Sequence, residues 1–255
     1  MIRCNPILTE SLSALAVDSP GWPARLRQLT LQALVLVLFW PKHGLMQLVA
    51  RGEEPRTLLA LVITLGLGLC YLAIRDGTEE LLGERQVSLR EWALATPLSV
   101  PRIVSGYVQA QLLQSLHAVA LCAPLLVVAH VVSASYWSAV VWCLLAAMLQ
   151  ALLYRLLAAS LHLGLGHRAE LVFYSSRAVL VLGQALTLAC ACSLSHPLLA
   201  HALLGGDDAS LVASVPGLFL LVYGSSVMLM CLVVGLQLRP YRSRADGADV
   251  QPPHR

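Results

Sequence analysis

The sequence predicts an all-α polytopic membrane protein of about six transmembrane helices, and three observations carry that prediction. Hydrophobic residues make up 58% of the chain and charged residues 12%, about half the ~25% charge of a typical soluble domain. Apolar runs near the ~20 residues needed to cross a bilayer recur along it. Lysine and arginine gather at alternate ends of those runs, as the positive-inside rule requires of cytoplasmic segments. The formal charge of +3, with no separate basic block, argues against nucleic acid as a partner. Of the 7 cysteines, Cys70, Cys122, Cys143, Cys190, Cys192 and Cys231 lie in apolar runs and read as small hydrophobes. Cys190-Ala-Cys192 lacks the spacing of a zinc or redox pair.

Taken in order, residues 7–17 have apolar positions at mixed helical spacing and predict a short helix on the membrane surface. Asp18-Ser-Pro-Gly-Trp-Pro23 breaks it. The N-terminal stretch has no continuous apolar core and is expected not to act as a signal peptide; Cys4 likewise lacks the setting of a lipoprotein cysteine. Arg25 and Arg27 flank the first apolar run, which starts near Leu29. Pro41, Lys42 and His43 interrupt that run. Either one kinked helix covers 29–49, or a shorter helix ends near Pro41 and an interfacial piece follows. After the polar turn Arg51-Gly-Glu-Glu-Pro-Arg56, the second span covers 57–74.

Next comes the longest polar interval, 75–102, with 5 of the 14 acidic and 4 of the 17 basic residues. The third span covers about 103–132, long enough to tilt or to start outside the hydrocarbon. Tyr136 and Trp137 are interfacial anchors for the fourth, 137–161. The fifth covers 171–194. Residues 195–214 mix apolar and turn residues and form either an outer loop or a stretch that dips back into the membrane. The sixth covers 215–238. The domain plan is an N-terminal cytoplasmic or interfacial segment (1–28), a six-span domain (29–238) and a polar cytoplasmic tail (239–255). Six spans put both termini on one side. With that side taken as inside, its segments hold twelve Lys and Arg residues, against Lys42, Arg51 and Arg56 outside. The interval 75–102 is therefore cytoplasmic.

Within it, Ser88-Leu-Arg-Glu91 has the capping-box pattern and starts a short helix at Ser88. Leu89, Trp92 and Ala93 share one face, with Arg90 and Glu91 beside them. Pro97 holds Thr96 extended and stops the helix. Ser99 caps the next helix, with Pro101 in its first turn.

Arg90-Glu-Trp-Ala-Leu-Ala-Thr-Pro-Leu-Ser99, followed by Arg102-Ile-Val-Ser-Gly106, resembles the segment between spans two and three of ABC transporter permeases of the second, exporter-like type. Tyr107 stands where that family often has Lys, and Val87-Ser88 replaces its usual Glu-Gly. The resemblance implies a coupling helix in which Ser88, Leu89, Arg90, Glu91, Trp92, Leu94, Thr96 and Pro97 seat on a separate ABC ATPase subunit. It implies no enzyme activity in this chain, with ATP and Mg held by that partner. The sequence accords with this, having no G-x-x-x-x-G-K-[ST] loop. A homodimer or a pair of homologous permeases would form the pathway, among the lipids of a bacterial inner membrane. The cargo stays open among lipid, drug, peptide, haem and glycan; the haem-exporter subunits of cytochrome c maturation are a similar branch.

Polar residues inside the apolar runs form a second group. Gln111, Gln114 and His117 follow at three-residue steps in the third span, and Gln184 stands in the fifth. They either line a substrate path or bond helices together. Arg155 and Arg177 are expected to snorkel to the cytoplasmic interface. His196, His201, Asp207 and Asp208 lack the ligand pattern of a metal site, and none is expected. Two other functions compete. Glu79-Glu80-Leu-Leu-Gly-Glu-Arg85 approaches the Glu-Glu-x-x-x-Arg of CAAX-type membrane proteases. Its Arg falls one residue late, a turn of about 100° on a helix, and no partner His motif follows. A non-transporting membrane assembly factor is the other.

Overall fold

The computed structural model describes residues 5–10, 22–40, 56–80, 87–133, 137–165, 168–189 and 209–248. These are all-helical: α1 (Trp22–Leu38), α2 (Arg56–Gly77), α3 (Leu89–Ala95), α4 (Val100–Ser133), α5 (Trp137–Leu165), α6 (Ala169–Ala189) and α7 (Ala209–Ala248). Among the described residues there is no strand. The segments Ala60–Gly77, Val100–Val132 and Val140–Leu165 are long and apolar enough to cross a membrane.

Small residues set the packing. Hydrocarbon does not drive apolar helices together, so close approach of backbones does. The largest interface joins α2 to α5. Ala146, Ala147, Ala151 and Ala158 of α5 lie buried against Leu58, Leu61, Leu65 and Leu69 of α2. The two helices run the same way and approach closely at Gly77, where an added Cβ would stand 2.5 Å from the Arg155 carbonyl oxygen and 2.8 Å from Ala158 Cβ. α1 is antiparallel to α2: Gln28 Nε2 donates to the Thr64 carbonyl at 3.3 Å, and Thr57 Oγ1 to the Phe39 carbonyl at 2.6 Å.

A second core gathers at the end of the bundle where α2 stops. Leu89 and Ala93 of α3, Ile103 and Tyr107 of α4, Leu156 and Leu163 of α5, and Val234 and Leu238 of α7 are buried together. The predicted inner face of α3 is therefore its packed face, with Trp92 half-buried beside it.

Several boundaries differ from expectation. α1 starts at Trp22 and stops at Leu38, which fits the shorter alternative ending before Pro41; residues 41–50 lie outside the described ones. The surface helix expected at 7–17 is helical over 6–10. It is not simply laid on a membrane, because Ile7 is buried in the second core and Asn5 Nδ2 donates to the Arg102 carbonyl at 2.8 Å. The rest of that segment, and 195–208 of the outer loop or re-entrant stretch, lie outside the described residues. The tail expected from 239 is instead helical to Ala248. Tyr241 packs against the second core, and Arg242 Nη1 donates to the Thr96 carbonyl. Long-range contacts thus extend a helix whose composition alone reads as a tail.

Gly77→Ala is expected to force α2 and α5 apart and cost about 1–3 kcal/mol, as overpacking does. Gly224→Ala, where nothing lies within 4 Å, is expected to be neutral. Melting in detergent, followed by a thiol-reactive dye on buried Cys70 and Cys122, compares the two.

Candidate functional site

The site begins at the C-terminus of α2. Glu79 N donates to the Asp76 carbonyl at 3.1 Å and Glu80 N to the Arg75 carbonyl at 2.9 Å, the paired bonds of a Schellman stop. The residue that turns the chain is Glu79, at φ 62°, a left-handed position usually filled by glycine and costing about 1–2 kcal/mol for other residues. Its carboxylate offsets that cost. Oε1 accepts from Leu89 N at 2.9 Å, and Oε2 lies 3.2 Å from His162 Nε2 on α5.

Three carboxylates thereby meet successive backbone N–H groups at the start of α3. Glu10 Oε1 accepts from Val87 N at 2.6 Å, Glu91 Oε2 from Ser88 N at 2.9 Å, and Glu79 from Leu89 N. A helix N-terminus presents unpaired donors and partial positive charge, so acids there stabilise it. The capping box is complete, with Glu91 N donating to Ser88 Oγ at 3.1 Å. Trp92 Nε1 donates to Glu10 Oε2 at 3.0 Å. At the other end Thr96 is extended (φ −118°, ψ 147°), as Pro97 requires. Arg90 lies over the Tyr241 ring, 4.9 Å from its centre. The inner side of α3 is tied to four parts of the chain; Arg90, Glu91, Leu94 and Ala95 are exposed.

Beneath α3, Arg155 of α5 is 5% exposed. Its Nη2 lies 2.7 Å from Asp76 Oδ2. Nη1 donates to Gln111 Oε1 at 2.8 Å and Gln114 Oε1 at 2.9 Å, and the guanidinium stacks 4.0 Å from the centre of the Tyr107 ring. Gln111 Nε2 in turn donates to Ser115 Oγ at 2.9 Å. The expected snorkelling of Arg155 does not occur, because an acid, two amides and an aromatic face hold its Nη atoms within the bundle, while its Nε is buried without a hydrogen-bond partner. A cavity of about 50 Å³ between Arg155, Asp76, Glu79, Glu10 and Trp92 has room for water among polar partners.

On the other flank, Arg177 of α6 binds both oxygens of Glu80, Nη2–Oε2 at 2.6 Å. Thr78 Oγ1 donates to Glu80 Oε1 at 2.8 Å. Arg177 is thus turned onto the end of α2 and lies over the Phe173 ring. Partial burial acts to raise the Glu80 pKa, but the bonds from Arg177 and Thr78 outweigh it and hold the carboxyl below its usual 4.5.

Of the residues singled out by sequence, Ser88–Pro97 form one unit, and Gln111 and Gln114 meet at Arg155, where they bond helices together. His117 lies further along α4, half-buried; the Gln184 side chain lies outside the described residues. Glu79 and Glu80 face different neighbours, and Arg85 lies outside the described residues. So do His196, His201, Asp207 and Asp208. Among the described residues no three His, Cys, Asp or Glu side chains are grouped to hold a metal. Sequence reasoning missed Asp76, Glu10, His162, Tyr241 and Arg242. The available signal was a charge inside the fourth apolar run, which calls for a partner within the bundle. No family model, curated protein or solved structure matches the chain.

Asp76→Leu leaves Arg155 buried without its counter-charge and is expected to cost about 3–5 kcal/mol, with Asp76→Leu/Arg155→Met recovering most of it. Melting of the single and double variants in detergent checks this. For Glu80 the lowered pKa means its contribution is complete above pH 4.5 and disappears as pH falls through the lowered value. Wild type and Glu80→Gln are expected to differ by under about 1 kcal/mol near neutrality and to converge in acid, read from melting against pH.

Proposed function

We propose that this chain is the membrane-spanning subunit of an ATP-binding-cassette transporter of the exporter-like type. Its α3 is the coupling helix that seats on a separate ATPase. The observation that carries the reading is mechanical: a seven-residue helix is fixed at both ends and on its inner face, while its outer face is open. An exposed surface helix seven residues long is marginal by itself. Here three carboxylates, a capping box and a packed apolar face hold it rigid.

A displacement of α3 reaches the bundle by identifiable contacts. Glu79 passes it to α2 and, through His162, to α5. Thr96–Ser99 pass it by covalent connection to α4. Arg242 on the Thr96 carbonyl and Tyr241 beneath Arg90 pass it to α7. Closure of an ATPase dimer around ATP and Mg would move two such helices, one from each permease, and bias the bundle between two arrangements. The six-span topology with cytoplasmic termini, the bacterial inner membrane and pairing with a second permease belong to the same proposal. The cluster of arginines at the α3 end supports that orientation.

The test is co-purification with an ABC ATPase encoded beside this chain, together with ATP-dependent transport after reconstitution. Leu94→Asp alters only the outer face and is expected to melt like wild type yet lose more than tenfold of the bound ATPase, as hot-spot losses at interfaces do. Arg90→Glu also breaks the contact with Tyr241 and is expected to lose some stability as well as binding. Glu91→Arg and Trp92→Ala also break the cap and the Glu10 bond, so they are expected to lose stability as well as binding. Unchanged ATPase binding and transport in all four variants sinks the coupling assignment.

A further inference from the structure

A second cavity, about 540 Å³, opens between the first turns of α4 and the C-terminal half of α7. Val104 and Val108 form one wall; Met228, Leu232 and Leu236 form the other. Met228 and Leu232 are 72% and 58% exposed, so the groove faces the surroundings of the bundle. Its floor depends on Gly235: a Cβ there would meet only Val100 Cγ1, at 3.7 Å, and the space above stays empty. Arg239 stands at one end. No acidic residue lines it among the described residues.

Dimensions and charge specify the occupant. From Met228 to Arg239 the axial rise of a helix is roughly 16 Å at ~1.5 Å per residue. Half the ~30 Å hydrocarbon core is about 15 Å. The apolar track is therefore one leaflet deep, with its cation at the end where α4 begins. Ser105, beside that end, already donates its hydroxyl to the Arg102 carbonyl at 3.0 Å, and Gln109 closes the track at depth. A single acyl chain matches the walls, and an exposed guanidinium at headgroup level matches a phosphate.

We propose that this groove binds one anionic phospholipid of the leaflet on the α3 side, its acyl chain between α4 and α7 and its phosphate on Arg239. The bound lipid bridges the two helices that contact α3. The inference needs α4 and α7 to lie in a membrane, and does not need the ATPase partner.

The test uses the full-length chain in membranes, after alkaline carbonate extraction shows that it is retained. Release at that step contradicts the membrane placement itself, and with it the lipid site. Retained protein is reconstituted into phosphatidylcholine vesicles carrying a trace of spin-labelled phosphatidylglycerol or spin-labelled phosphatidylcholine. The motionally restricted fraction is expected to favour phosphatidylglycerol about fivefold, the factor that one basic residue at an anionic surface supplies. Arg239→Gln is expected to abolish that preference. Gly235→Leu, which fills the floor and leaves Arg239 in place, is expected to remove the restricted phosphatidylglycerol in excess of the boundary shell. Equal restriction of both lipids by wild type overturns the site. So does a preference that survives in both variants, or spontaneous crosslinking of Leu232→Cys to a second copy with no restricted lipid.

Discussion

A guanidinium buried among apolar helices is the constraint on which this structure turns. An unpaired charge at that depth costs several kcal/mol, so Arg155 must bring its partners to it. Asp76 has to end α2 there, Gln111 and Gln114 have to face α5 from the first turns of α4, and Tyr107 has to lie flat beneath the guanidinium. Those demands fix the relative depth of three helices. Gly77 then lets α2 approach α5 closely enough for the pair to form.

From this point the chain must turn at once, and the way it turns links the bundle to α3. Glu79 holds a left-handed conformation that glycine would adopt with less strain. A glycine there would have no carboxylate for Leu89 N or His162. The strain at Glu79 and the fixing of α3 are therefore two aspects of one residue. Glu10 and Glu91 extend the arrangement to the neighbouring N–H groups, and Glu80 with Arg177 ties α6 to the same turn. A stretch of four polar residues, Asp76 and Thr78–Glu80, thus touches α3, α5 and α6. In the proposed transporter that turn is where a push on α3 divides among the helices.

What could be read from sequence was mainly local. Ser88-Leu-Arg-Glu91 specifies a helix start because its two bonds close within four residues, and both are present. Pro97 sets Thr96 by a clash with its own neighbour. The apolar runs locate the helices because hydropathy is a sum over a window. What escaped depends on pairs distant in sequence. Arg155 was expected to snorkel, since its run shows one charge and not the Asp76 that α2 presents to it. The helix through Ala248 looked like a tail because its polar residues bond α3, over a hundred residues earlier. Gln111 and Gln114 were legible as polar groups in an apolar run, but their bonds to Arg155 depend on a residue some forty positions away.

In the proposed transporter, the outer face of α3 is the docking surface of an ATPase. A photoreactive amino acid placed at Leu94, on that face, and at Ala93, on the packed face, tests it directly in cells. The expected result is a covalent adduct from position 94 with a protein carrying an ATP-binding-cassette phosphate loop, and only intramolecular products from position 93. Adducts from position 94 to lipid alone, or none, would contradict it.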